Sequence, residues 1–216
     1  MYDAELHANS YKSLIARVKK MISESPRVGK PEPESARIVF SSVIGKMPKA
    51  VSGVRVPEWN QFNEITGGLR PREFTILCGS TGKGKTTWLA SLSSRLIKAT
   101  TPHVVFSVET GHEDFLRRTL SCLDGQDLNT GDAISIDEVD RIRNEYSDVM
   151  KKSQSYFFPY ENRIAHWTLL ADLLYSSETL GCKIAMIDNL NYFLEVTSAQ
   201  NARIEIDRVI HDLIVF

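Results

Sequence analysis

Residues 73–88 read Glu-Phe-Thr-Ile-Leu-Cys-Gly-Ser-Thr-Gly-Lys-Gly-Lys-Thr-Thr-Trp. Within this run, Gly79-Ser80-Thr81-Gly82-Lys83-Gly84-Lys85-Thr86 fits the phosphate-loop pattern G-x-x-x-x-G-K-[ST] in full. Phe74 to Cys78 is a short apolar run, which predicts a buried parallel strand. Downstream, Trp88, Leu89, Leu92 and Leu96 recur at helical spacing. Strand, glycine loop and helix thus follow in the order that a nucleoside triphosphate site requires.

The chemistry explains the residue types. Glycines allow successive N–H groups to turn inward on a polyphosphate. The helix beginning near Lys85 adds its positive dipole end and unpaired N–H groups. Residues Gly79 to Thr86, with Thr87, are therefore the candidate ATP-binding set. Lys85 is expected to reach the β- and γ-phosphates and the Thr86 hydroxyl to ligate Mg²⁺. Lys83 fills a free position of the pattern and is expected to face solvent.

Outward from this segment, the chain alternates strands and helices. His103 to Val108 reads as a strand with Glu109 at its carboxyl end. Glu113–Leu123 and Asp137–Lys152 read as helices, the second capped by Ser135. Tyr156 to Phe158 is a short strand, Ala165–Leu180 a helix, Lys183–Asp188 a third clear strand and Ala202–Phe216 a final helix. Ahead of the loop, Trp59–Ile65 predicts a short helix and Thr66-Gly67-Gly68-Leu69 a turn. The pattern implies an α/β fold, a mostly parallel sheet with helices on both faces. Residues 1–53 read as an N-terminal linker extension. A helix over residues 4–24 would pack either on its own domain or on a neighbouring subunit, and Pro26, Gly29, Pro31 and Pro33 mark a linker after it. Residues 54–216 read as the ATPase domain.

In open α/β sheets, ligands lie beyond the carboxyl ends of the strands. The loop, Glu109 and Asp188 are all expected there. Asp188 suits Mg²⁺, through a water. Glu109 suits activation of the attacking water, although Glu109 to Glu113 could instead simply open a helix. Arg117, Arg118, Arg141 and Arg143 read as solvated helix charges. Tyr156, the phenylalanines after it, His166 and Trp167 read as packing residues, and His112 as a surface residue.

Composition sets the remaining bounds. The 216 residues carry a net charge of −1, so no global basic field points to nucleic acid, and any such contact must be local. Cys78, Cys122 and Cys182 lack metal-ligand spacing. Cys78 and Cys182 are expected to be small core residues, and reduced thiols point to an intracellular protein. No apolar stretch is long enough to span a membrane, and the acidic start Met1-Tyr2-Asp3-Ala4-Glu5 lacks a signal core, so no membrane partner is expected.

Four segments together carry a family resemblance: Thr66-Gly67-Gly68-Leu69, the loop Gly79 to Thr86, Phe106-Ser107-Val108-Glu109 and Ile187-Asp188-Asn189-Leu190. Their order resembles the RecA-like motor domain of ring-forming replicative DNA helicases of the DnaB type. It looks closest to the Twinkle and phage primase-helicase branch. The resemblance implies ATP-driven 5′-to-3′ unwinding by a hexameric ring on single-stranded or forked DNA. It assigns Lys85 and Thr86 to phosphate and Mg²⁺, Glu109 to catalysis and Asp188 to the metal. It also implies a site between subunits, completed by a neighbour's arginine. A mitochondrial location would follow for a Twinkle-like protein, a cytoplasmic one for a bacterial or phage protein. Two departures stand out. Arg70-Pro71-Arg72-Glu73 replaces the usual turn before the loop strand. The sequence also stops at Phe216, before the family's sensor residue, DNA loops and finger arginine, so an incomplete domain is expected. A recombination- or clock-type ATPase, and a nucleotide-binding subunit that joins rings without unwinding alone, are the alternatives.

Overall fold

The computed structural model describes residues 16–20, 53–128, 134–160, 165–193 and 199–215. Its centre is the strand His103–Ser107 (β1), in which all five residues are buried. Valines and a phenylalanine suit a strand covered on both faces. β1 pairs in parallel with Ser155–Phe158 (β2) on one side and Ile184–Asp188 (β3) on the other, giving the order β2-β1-β3. The helical elements around this sheet include Asn60–Thr66 (α1), Lys85–Lys98 (α2), His112–Asp124 (α3), Ile136–Ser153 (α4), His166–Glu178 (α5), a 3-10 turn at Leu190–Phe193 and Ala199–Val215 (α6).

The alternation along β1 divides the core in two. Val104 and Phe106 pack with Leu169, Leu173 and Phe193 on one face. Val105 packs with Met186, Leu92, Leu96 and Phe115 on the other. Phe106 is fully buried and stacks on Phe158 with ring centroids 4.8 Å apart. Phe106→Ala is expected to cost about 3–5 kcal/mol, because the central strand cannot collapse around the void. A urea titration of both proteins measures that loss.

The glycine pair Gly67-Gly68 has a structural cause. Gly67 closes α1 in the left-handed region, its N–H bonded to Asn63 O at 3.0 Å. Gly68 also has positive φ, and a Cβ there would lie 2.7 Å from Val54 O. The close approach lets Val54 and Leu69 form an antiparallel bridge. The Asn63 amide accepts from Val56 N (2.8 Å) and donates to Val56 O (2.7 Å), fixing α1 against this bridge. Trp59 then meets Trp88 of α2 at 4.9 Å, so the helix that follows the phosphate loop is braced from behind.

The segment 73–78 departs from expectation. It forms no strand, and every residue of it is exposed, Ile76 at 55% and Leu77 at 42%. Cys78 is accordingly exposed and not a core residue. The apolar sequence is right for a strand, but a strand exists only with a hydrogen-bonded neighbour. A cleft of about 550 Å³, lined by Phe74 to Leu77 on one wall and Ile184 to Asp188 on the other, separates the segment from β3. Cys182 is half-buried and its thiol is pushed up to about 11 by burial.

Arg141 is likewise no free surface charge. It donates to Asp124 (2.8 Å), Glu138 (2.6 Å) and Glu145 (2.8 Å), tying α4 to the end of α3. Tyr146 Oη donates to the same Asp124 at 2.9 Å. The Arg141 hydrogen bond is the main reason that the Asp124 carboxyl is held below its usual range. Ser135 caps α4 as expected, accepting from Glu138 N at 3.2 Å. His166 is buried, 3.4 Å from Asp212 of α6. Most of the expected N-terminal helix lies outside the described residues. Residues 16–20 are helical, and Val18 enters the chain's own core beside Val104 and Phe106. Among the described residues no helix is long and apolar enough to cross a membrane.

Candidate functional site

The loop 79–84 leads into α2 through Gly84, a left-handed N-cap at φ 82°. Gly82 has φ 77°. Nothing lies within 4 Å of a Cβ built at either position, so backbone conformation alone demands glycine there. Gly79 to Gly84 are exposed, Lys83 included as expected, whereas Lys85 and Thr86 are half-buried. The first turn of α2 holds no acidic residue, which leaves its dipole open to an anion. Lys85 Nζ donates to Gly79 O (2.8 Å) and Ser80 O (3.0 Å), arching over its own loop. A bound phosphate would compete for this ammonium.

β-Sheet register brings the carboxylates to the loop. Ser107 pairs with Asp188, and Val108 N donates to Asp188 O at 2.9 Å. Glu109 therefore emerges just beyond Asp188 on the neighbouring strand, at the carboxyl edge of the sheet. Asp188 is 2% exposed. Burial is the first cause pushing its pKa up, and the negative charge of Glu109 adds to it. The Thr86 hydroxyl, Lys85 and Arg118 pull the other way. All four groups thus act on one carboxylate. Its Oδ2 is buried without a hydrogen-bond partner. An orphaned acceptor in a polar setting fits a cation, and a hydroxyl, one carboxylate and substrate phosphates are the donor set that Mg²⁺ favours. Among the described residues no three His, Cys, Asp or Glu side chains converge, so no all-protein metal cage competes with this arrangement.

The structure brings Lys85, Thr86, Glu109 and Asp188 together. Ser80, Thr81 and Thr87 stay exposed around them. Glu109 does not open a helix: α3 starts at His112 after Gly111, and the Glu109 carboxylate accepts from Asn189 Nδ2. Two residues were missed by the sequence reading. Asn189 stood in the quoted Ile-Asp-Asn-Leu run without a role. Arg118, expected to be solvated, is half-buried with its Nε unpartnered, and its charge reaches Asp188. The available signal was its place three residues after Phe115, on the buried face of α3.

Comparison with known proteins bears on the fold and the family. A solved structure of a DnaB-like replicative helicase, described with its interactions with primase, superposes with a TM-score of 0.65 at 17% identity. The match covers 97% of this chain and 54% of that one, so the chain spans about half the length of that relative. The likeness shows a shared fold, α/β and RecA-like. No curated protein matches the chain. The family model for the DnaB-like helicase C-terminal domain matches residues 54–214, which is most of the sequence. The chain belongs to the DnaB-like helicase C-terminal domain family.

Proposed function

We propose that this chain is an ATP-hydrolysing motor domain that drives 5′-to-3′ unwinding of duplex DNA within a replicative ring. The observation that carries the reading is the convergence of Thr86, Lys85, Glu109 and Arg118 on the buried, partly unpartnered Asp188. Residues 54–216 are the ATPase domain in this proposal, and residues 1–53 the linker. Gly79 to Thr87 hold the triphosphate through backbone N–H groups and the α2 dipole. Lys85 leaves its loop carbonyls for the β- and γ-phosphate oxygens. Thr86 and Asp188 would hold Mg²⁺, which when bound would neutralise charge on the phosphates. Glu109 takes a proton from the attacking water as the water oxygen bonds to the γ-phosphorus and the bridging oxygen departs with ADP. A partner subunit's arginine shares the developing charge, so the working form is a hexameric ring around single-stranded DNA.

Turnover of ATP by the full chain, with and without forked or single-stranded DNA, tests this. DNA-stimulated turnover is the expected result. Binding of Mg-ATP without turnover, alone or mixed with a longer ring-forming relative, would replace it with the second reading. That reading is a nucleotide-binding subunit that joins rings without unwinding alone. The exposed, unpaired segment 73–78 beside the open cleft favours it.

A further inference from the structure

Glu109 is exposed, and an exposed glutamate moves among rotamers of similar energy. A base that takes a proton from one water must be held in place, since a misplacement of about 1 Å can cost 10²-fold in rate. Asn189 supplies the restraint. Its Nδ2 donates to Glu109 Oε2, while its Oδ1 accepts from Asn191 N at 3.0 Å. The second bond fixes which way the amide faces: the oxygen is committed to the backbone, so the donor must point at the glutamate. Asn191 lies in the 3-10 turn Leu190–Phe193, and Phe193 is fully buried in the core. The clamp is therefore anchored to the fold and not to another mobile side chain. Glu109 Oε1 is left to receive the proton.

We infer that Asn189 is a positioning residue, which locks one oxygen of Glu109 so that the other faces the attacking water. The inference rests on the reading of Glu109 as the base. A merely structural role for Asn189 would lie in the Asn191 hydrogen bond, which caps the turn. The two roles separate cleanly. Asn189→Asp keeps an acceptor for Asn191 N–H, cannot donate to Glu109 and places a second anion beside it. Asn189→Ala loses both bonds.

The test is steady-state ATP turnover by the full chain with DNA. For Asn189→Asp, kcat is expected to fall at least about tenfold with KM for ATP within about twofold of the parent, because the phosphate-binding groups are untouched. Asn189→Ala should lose kcat similarly. If Asn189→Asp turns over like the parent and only Asn189→Ala is impaired, the capping role stands and the inference is overturned. A thermal-unfolding cycle gives a readout without turnover. Asn189→Asp should lower the midpoint through the paired anions, and adding Glu109→Gln should restore it by returning a donor. Strictly additive midpoints would mean that the two side chains do not meet, and would also overturn the inference. A parent chain that binds ATP without turnover instead defeats the hydrolysis reading, and the unfolding cycle then decides the Asn189–Glu109 contact by itself.

Discussion

Lys85→Ala is expected to abolish measurable ATP binding, whereas Glu109→Gln is expected to bind Mg-ATP like the parent and lose about 10²–10⁴-fold in turnover. The contrast follows from where each group acts. Lys85 already holds an ammonium over the loop, bonded to the carbonyls of Gly79 and Ser80. In the proposed function it meets the phosphates in the ground state, so its loss should remove binding itself. Glu109 lies beyond β1, tied to Asn189, and in the proposed function it faces the attacking water. Its glutamine analogue keeps size and hydrogen-bonding capacity but cannot take a proton. Isothermal calorimetry with Mg-ATP and a phosphate-release assay read the two effects separately. Equal loss of binding in both variants would contradict the division of labour.

Asp188→Asn is expected to move stability and function in opposite directions. The Asp188 carboxylate is buried, and its Oδ2 has no hydrogen-bond partner. Relieving an ionisable group there should raise stability by about 1 kcal/mol at neutral pH, an increase of about 2–4 °C in the unfolding midpoint for a chain of this size. Magnesium-dependent nucleotide binding should be lost, because the amide cannot supply the negative charge. The pH dependence has a definite sign. Asp188 has its pKa raised above the ordinary 3.8 by burial, so the unfolded chain releases this proton first as pH rises. The parent is therefore relatively most stable below 3.8 and loses that advantage as pH climbs through the raised folded value. The Asn variant should show its gain only above this window. A gain of the same size at every pH would show that Asp188 is not a perturbed carboxylate. Differential scanning calorimetry from acid to neutral pH, without nucleotide, measures it.

Elements set by local pattern were legible in the sequence. The helix after Gly84 was visible in the spacing of Trp88, Leu92 and Leu96, and α4 in its Ser135 cap, because both depend on residues within a few positions of one another. β1 was visible because it is apolar throughout, as a strand covered on both faces must be. Asp188 and Glu109 were picked out as strand ends, the places where side chains leave the sheet. Phe74 to Cys78 looked equally like a strand and is not one. Its apolar residues describe what the segment could bury, but pairing needs a neighbour, and the cleft beside β3 leaves it without one.

The amino-acid sequence by itself determined the glycine loop, its lysine and hydroxyl and the order of elements around them, since each is written in contiguous residues. Only the tertiary structure decided which distant groups meet. The pairing of Ser107 with Asp188 puts Glu109 next to Asn189. The packing of α3 half-buries Arg118 within electrostatic reach of Asp188, and the approach of α3 to α4 gives Arg141 the Asp124 carboxylate. Charges and amides act through space over a few ångströms, so their roles belong to the fold that closes those distances and not to their spacing along the chain.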